Sequence, residues 1–177
     1  MAECGIIIQN ISMEFKSKSI KLIIGLGNPE IKYQNTYHNV GRQFIKYIKE
    51  NPRTACYQSF ATDCSMNQSG LFVQKTLNYY HFNPENLLIV HDDSDITLGK
   101  YKFSFSRSSA GHKGINSVIQ NLNTKNFWRL RIGIRPKEYR GKAEKFVLKK
   151  ISAQNREVLK ATFQEIIKNE LGIMNNE

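Results

Sequence analysis

Apolar residues in this chain fall into continuous runs, alternating runs and runs spaced by three or four. Lys21-Leu-Ile-Ile-Gly25 and Leu87-Leu-Ile-Val-His91 are continuous, the mark of strands buried on both faces. Residues 100–105 and 127–134 alternate basic or polar with apolar, as strands with one covered face do. Helical spacing places Val40, Phe44, Ile45 and Ile48 on one side of residues 39–49, a helix that Asn51-Pro52 should end. A second helix is expected over residues 70–80, capped by Ser69, with Leu71, Val73, Leu77 and Tyr80 inward. Ile115, Val118, Ile119 and Leu122 mark a third. Leu159, Phe163, Ile166 and Ile167 mark the last, over residues 153–172. Residues 53–65 carry a weak signal in which 55–61 fits a short strand.

Strands and helices therefore alternate, with Asn28-Pro29 as a turn and the small residues 106–111 as a loop. That order predicts an α/β fold. It is a single three-layer α/β/α sandwich around a mixed, mostly parallel, twisted sheet. Residues 1–20 read as an N-terminal extension and 21–177 as one domain, with Met13 as a second candidate start. Ligands of such sheets collect at the carboxyl ends of strands, where Asn28 and Asp92 would meet.

Composition narrows the function classes. A length of 177 residues allows a core without disulfides or metal. Cys4, Cys56 and Cys64 are odd in number and lack the spacing of a zinc site or disulfide framework. No run is long enough to span a membrane. The short Gly5-Ile6-Ile7-Ile8 run follows Glu3 and no Lys or Arg, unlike a secretory signal. A cytoplasmic setting follows. Of the net +11, residues 96–150 hold +12, with fourteen Lys or Arg against Glu138 and Glu144. Such asymmetry suits a phosphate-bearing partner, or else a solvated basic face.

Three sequence features bear on chemistry. Gly25-Leu-Gly27 follows a strand, but Pro29 and Glu30 break the dinucleotide-binding pattern, and an acid there would repel a pyrophosphate. His38 sits at the mouth of a helix, where a lone histidine is commonly structural. His91-Asp92-Asp93-Ser94-Asp95 puts three acids past a buried strand. That run fits a solvated turn, a Mg²⁺ site, or a carboxylate orienting a histidine base.

The motifs together resemble one family. Residues 21–41, KLIIGLGNPEIKYQNTYHNVG, are similar to the opening of bacterial-type peptidyl-tRNA hydrolases. Met66-Asn67-Gln68-Ser69-Gly70 resembles that family's M-N-x-S-G, and His91 to Asp95 with Gly99 its H-D-D/E-x-D segment. Gly111-His112-Lys113-Gly114 resembles G-H-N-G, and Phe127-Trp-Arg-Leu-Arg-Ile-Gly-Ile134 resembles F-x-R-L-R-I-G-I. The likeness covers about residues 21–150, in order and at matching spacing.

The resemblance implies cytoplasmic hydrolysis of the ester joining a peptide to tRNA, by a monomer that needs neither metal nor cofactor. It implies a substrate whose amino group is blocked. His38 matches the catalytic base and Asp92 its carboxylate partner. Asn28 and Asn67 match asparagines that hold substrate and water, with Tyr33, Met66 and Lys113 lining the site. Arg131 matches one half of a clamp on the tRNA 5′-phosphate. Its basic partner falls at Ser104, so Lys102 or Arg107 would have to substitute.

Other departures stand out. Glu30, Tyr37 and Lys113 replace the family's usual glycine, arginine and asparagine. The span from His38 to Met66 is short, as if a β-hairpin were missing, and Ala61-Thr-Asp-Cys-Ser65 replaces an apolar strand. These favour, as the rival reading, a non-catalytic RNA-binding protein on the same fold. Retention of His38, Asp92 and Asn67 favours the enzyme, because phosphate binding does not require that trio.

Overall fold

The computed structural model describes residues 14–51 and 54–171. The Gly5–Ile8 run, Met13, Pro52 and the expected helix end at Gly172 lie outside the described residues. Five strands form one sheet: β1 (Leu22–Gly25), β2 (Gln58–Ala61), β3 (Leu87–Thr97), β4 (Tyr101–Phe105) and β5 (Trp128–Arg135). Their order is β2-β1-β3-β5-β4. All neighbours are parallel except β4, which runs antiparallel to β5 at the edge. The expected mixed, mostly parallel sheet is what forms.

Period-two geometry sends successive residues of a strand to opposite faces. Ile23, Leu88, Val90, Leu130 and Ile132 face one layer, where α1 (Val40–Lys49) and α5 (Ala153–Ile166) bring Phe44, Ile48, Phe163 and Ile166. Leu22, Ile24, Leu87 and Ile89 face the other, against α2 (Ser69–Tyr80) and α3 (Lys113–Leu122). Both faces are covered, which is why β1 reads as an unbroken apolar run. The short α4 (Ala143–Phe146) follows β5. Phe15, in the described end of the extension, stacks on Phe103 at 3.8 Å and meets Trp128 edge-on.

Some local expectations change. Ser69 is the first residue of α2 rather than its cap, and its buried hydroxyl faces Met66 Sδ at 3.8 Å. Leu71 is 45% exposed, not inward. Gly70 lies so close to α3 that a Cβ there would meet the Ser117 carbonyl oxygen at 2.0 Å. That approach turns Gly70, Val73 and Leu77 inward and Leu71 outward. β3 runs six residues past His91, through the acidic run. Pairing of Asp92 and Asp93 with Ile132 and Gly133 of β5 overrides the poor strand propensity of that stretch. The register shifts between Asp93 and Thr97.

Candidate active site

The loop after β1 is fixed to the start of α1 by one buried amide. Asn39 Oδ1 accepts from the Asn28 N–H, and Asn39 Nδ2 donates to the Asn28 carbonyl, both at 2.8 Å. His38 immediately precedes that amide, on the one-turn helix Tyr37–Asn39, and its own N–H donates to the Val147 carbonyl at 2.8 Å.

Asp92 is 3% exposed and accepts from two imidazoles. His38 Nδ1 lies 3.0 and 3.1 Å from its two oxygens, and His112 Nε2 lies 3.2 Å from Oδ1. The tautomers follow from the remaining bonds. His112 is the N-cap of α3, and its Nδ1 accepts the Ile115 N–H at 3.3 Å. The His112 proton therefore sits on Nε2 and points at Asp92. A neutral His38 likewise places its proton on Nδ1, which leaves Nε2 as the basic nitrogen.

Electrostatics favour the charged form of both partners. Burial disfavours the charged form of His38, but the Asp92 charge and hydrogen bond outweigh it. The His38 pKa is raised, with Lys113 pulling the other way. Burial alone would raise Asp92; His38 and His112 instead hold it far below the usual carboxylate range. Neighbouring His91 is pushed well down by burial and by His112, and its Nδ1 donates to the Asp92 carbonyl at 2.7 Å.

A cleft of about 1070 Å³ opens over this pair. All ten residues singled out in the sequence line it: Asn28, Tyr33, His38, Met66, Asn67, Asp92, Lys102, Arg107, Lys113 and Arg131. Their surroundings differ. Asn28 Oδ1 accepts the Glu30 N–H at 3.0 Å, and its Nδ2 donates to Glu30 Oε1 at 3.2 Å. The Tyr33 ring lies 4.9 Å from Lys32 Nζ. Met66 is buried, whereas Asn67, Lys102, Arg107 and Lys113 are exposed. The Asn67 carbonyl accepts from Ser117. Arg131 Nε donates to Asp93 Oδ2 at 2.7 Å, so this guanidinium is held in place by a carboxylate.

Two further residues of the cleft received no role from the sequence. His112 was part of a motif, and its place just before a helical run was the available signal. Arg129 is 3% exposed and donates to the Ser108 carbonyl at 2.8 Å. Burial and nearby Arg131 bring its pKa down to about 10, against the pull of Asp93. The alternation 129, 131 put both arginines on one face of β5.

His38, Asp92 and His112 offer donor atoms within 4.8 Å of one another, a spacing that could suit a metal ion. The capping bond argues against that use. An imidazole accepting at Nδ1 carries its proton on Nε2 and has no lone pair there to give. As arranged, both imidazoles hydrogen-bond to Asp92.

Fold and site define a class: an α/β protein with a histidine hydrogen-bonded to a buried carboxylate on the floor of a cleft lined by charged residues of both signs. Residues 22–65 and 59–176 match the family model described as peptidyl-tRNA hydrolase. The chain is 38% identical over 162 residues to the peptidyl-tRNA hydrolase of Mycoplasma capricolum, covering 81% of this chain and 87% of that protein. It is also 38% identical to the Francisella tularensis protein of the same name over 160 residues, covering 78% and 83%. The solved peptidyl-tRNA hydrolase of Acinetobacter baumannii superposes with TM-score 0.72 at 26% identity, covering 82% of this chain and 84% of that one. The chain belongs to the peptidyl-tRNA hydrolase family.

Proposed function

We propose that the chain hydrolyses the ester between a peptide and the 3′ ribose of tRNA, by direct attack of water and without a metal ion. The observation that carries this reading is the His38–Asp92 pair at 3.0 Å beneath a cleft whose wall includes Lys102, Arg107, Lys113, Arg129 and Arg131. His38 Nε2 takes a proton from water as the oxygen attacks the ester carbonyl. Asp92 holds the ring and favours the imidazolium that forms. Asn67, on the cleft wall, would donate to the developing oxyanion, and Lys113 would add a positive charge nearby. Collapse of the tetrahedral intermediate breaks the bond to the ribose oxygen, which recovers the proton from His38. The products are a peptide acid and a reusable tRNA.

Arg131, Lys102 and Arg107 would contact tRNA phosphates, while Asn28, Tyr33 and Met66 border the peptide end. Among the described residues no helix is long and apolar enough to cross a membrane. A cytoplasmic monomer of one domain, residues 21–177 behind a 20-residue extension, suits this role. The non-catalytic reading is not favoured, because it leaves the doubly hydrogen-bonded Asp92 without a use. The test is turnover of purified peptidyl-tRNA in EDTA. Release of free tRNA at an undiminished rate is expected; no release, or release that needs added metal, refutes the reading.

A further inference from the structure

The segment after β5, residues 136–150, carries six cations: Lys137, Arg140, Lys142, Lys145, Lys149 and Lys150. It does not hang free beside the cleft. The Tyr37 N–H donates to the Lys149 carbonyl at 3.3 Å, and the His38 N–H donates to that of Val147 at 2.8 Å. Thr36 bridges Lys150 in antiparallel fashion, and the Ile151 N–H donates to the Asn35 carbonyl at 2.8 Å. The turn that presents the catalytic histidine is thus zipped along its length to a basic strap. Glu144, Val147 and Leu148 of that strap form part of the cleft wall.

Side-chain packing adds to these backbone bonds in holding the two segments together. Here an aromatic stack does so. The Tyr37 ring lies on Phe146 with centroids 4.5 Å apart and planes at 24°. Phe146 in turn meets Tyr139 at 4.4 Å, and Lys149 Nζ lies 5.0 Å from the Tyr139 ring. Tyr37 and Phe146 are both nearly fully buried, and the Tyr37 hydroxyl accepts from Asn155 Nδ2 of α5 at 2.6 Å.

We infer that Tyr37 is a positioning residue for His38: stacked on Phe146, it locks the basic strap to the 35–38 turn and so aims the imidazole at Asp92. Backbone and ring act on adjacent residues, so a slip of the strap moves the His38 main chain directly. A misplacement of about 1 Å at a catalytic group can cost on the order of 10² in rate. The inference rests on His38 being the base of the proposed reaction.

The test compares Tyr37→Phe, Tyr37→Leu, Phe146→Leu and the double Leu variant, with Tyr139→Ala as a milder change at the partly exposed end of the stack. Each is read by kcat, KM and the His38 ring titration seen by NMR. The charged or titratable groups around that ring are Asp92 on β3 and His112 and Lys113 at the head of α3. Tyr37→Phe keeps the stack and should stay within about twofold of the parent in kcat. Tyr37→Leu and Phe146→Leu should each lower kcat roughly 10- to 100-fold with KM changed less than about threefold. Their effects should not multiply in the double variant. The His38 titration should move down toward an ordinary imidazole value as its bond to Asp92 loosens, and Tyr139→Ala should shift it in the same direction. A merely structural role would lower Tm and leave kcat per folded molecule and the titration unchanged, which overturns the inference. So would a loss confined to KM, or an equal loss in Tyr37→Phe. If the parent fails to turn over peptidyl-tRNA, the functional reading falls, while the ring titration, which needs no substrate, still judges the positioning.

Discussion

His112 Nε2 reaches Asp92 Oδ1 at 3.2 Å, so the cap of one helix also serves as a hydrogen-bond donor to the buried carboxylate beside the proposed base. The two duties can be separated. Asparagine is a strong N-cap but too short to make the second bond. His112→Asn should keep Tm within a few degrees while kcat falls about tenfold or more. His112→Ala should lose the same activity and also about 1 kcal/mol of stability. Thermal melts beside single-turnover rates check both, and unchanged kcat in His112→Asn would remove the Asp92 bond from the mechanism.

His38→Ala should abolish turnover, a loss of roughly 10²–10⁴-fold for a general base, yet leave the fold and tRNA binding nearly intact. Asp92→Asn should lower kcat with a smaller effect on KM, because the carboxylate acts on the base and not on the bound ground state. Normal turnover by folded His38→Ala protein would sink the base assignment.

The pH dependence has a definite sign. As the proposed base, His38 would act only when neutral, and Asp92 raises its pKa above the ordinary 6.5, so the acidic limb of kcat/KM should lie above pH 6.5. Lys113 opposes that shift. Lys113→Asn should therefore move the limb to still higher pH and lower kcat if the ammonium also stabilises developing negative charge. If Lys113 instead only meets tRNA phosphate, KM rises, the salt dependence weakens and the limb stays where it was. Profiles of both proteins at two salt concentrations distinguish these outcomes.

Folding stability should respond to acid through the same carboxylate. The Asp92 pKa is depressed in the folded state, so its contribution is present above the unfolded value of about 3.9 and is lost as pH falls below it. Denaturant midpoints between pH 7 and pH 3 should fall more steeply for the parent than for Asp92→Asn. Parallel curves would contradict the ion-pair assignment.

Arg131→Ala should weaken tRNA binding across sequences and lower the log–log salt slope by roughly 0.7–0.9 if one phosphate contact is lost. Because Arg131 already pairs with Asp93, the variant also frees a carboxylate beside the cleft, which should deepen the affinity loss. Arg131→Ala combined with Asp93→Asn should recover part of it. An unchanged slope and affinity would take Arg131 out of the tRNA contact.

Much of this protein was legible in its residues because the relevant forces are local or periodic. The continuous runs at 22–25 and 87–90 specified strands covered on both faces, and the three-to-four spacing of α1, α3 and α5 marked their buried sides. The resemblance of its motifs to one family pointed to His38, Asp92 and Arg131, and all three line the cleft. What the chain could not declare was set by distant pairing. The acidic run looked like a solvated turn, but β5 supplies the hydrogen bonds that draw it into β3. Leu71 was read inward because helical spacing says nothing of how near α3 would come to Gly70. The second imidazole on Asp92, the burial of Arg129 and the stack of Tyr37 on Phe146 join residues 20 to 109 positions apart or bury a charge that sequence places on a surface. Sequence determined which groups this protein has to work with. Only the packed sheet decided which proton each imidazole carries, since a tautomer is fixed by the partners that folding brings within about 3 Å.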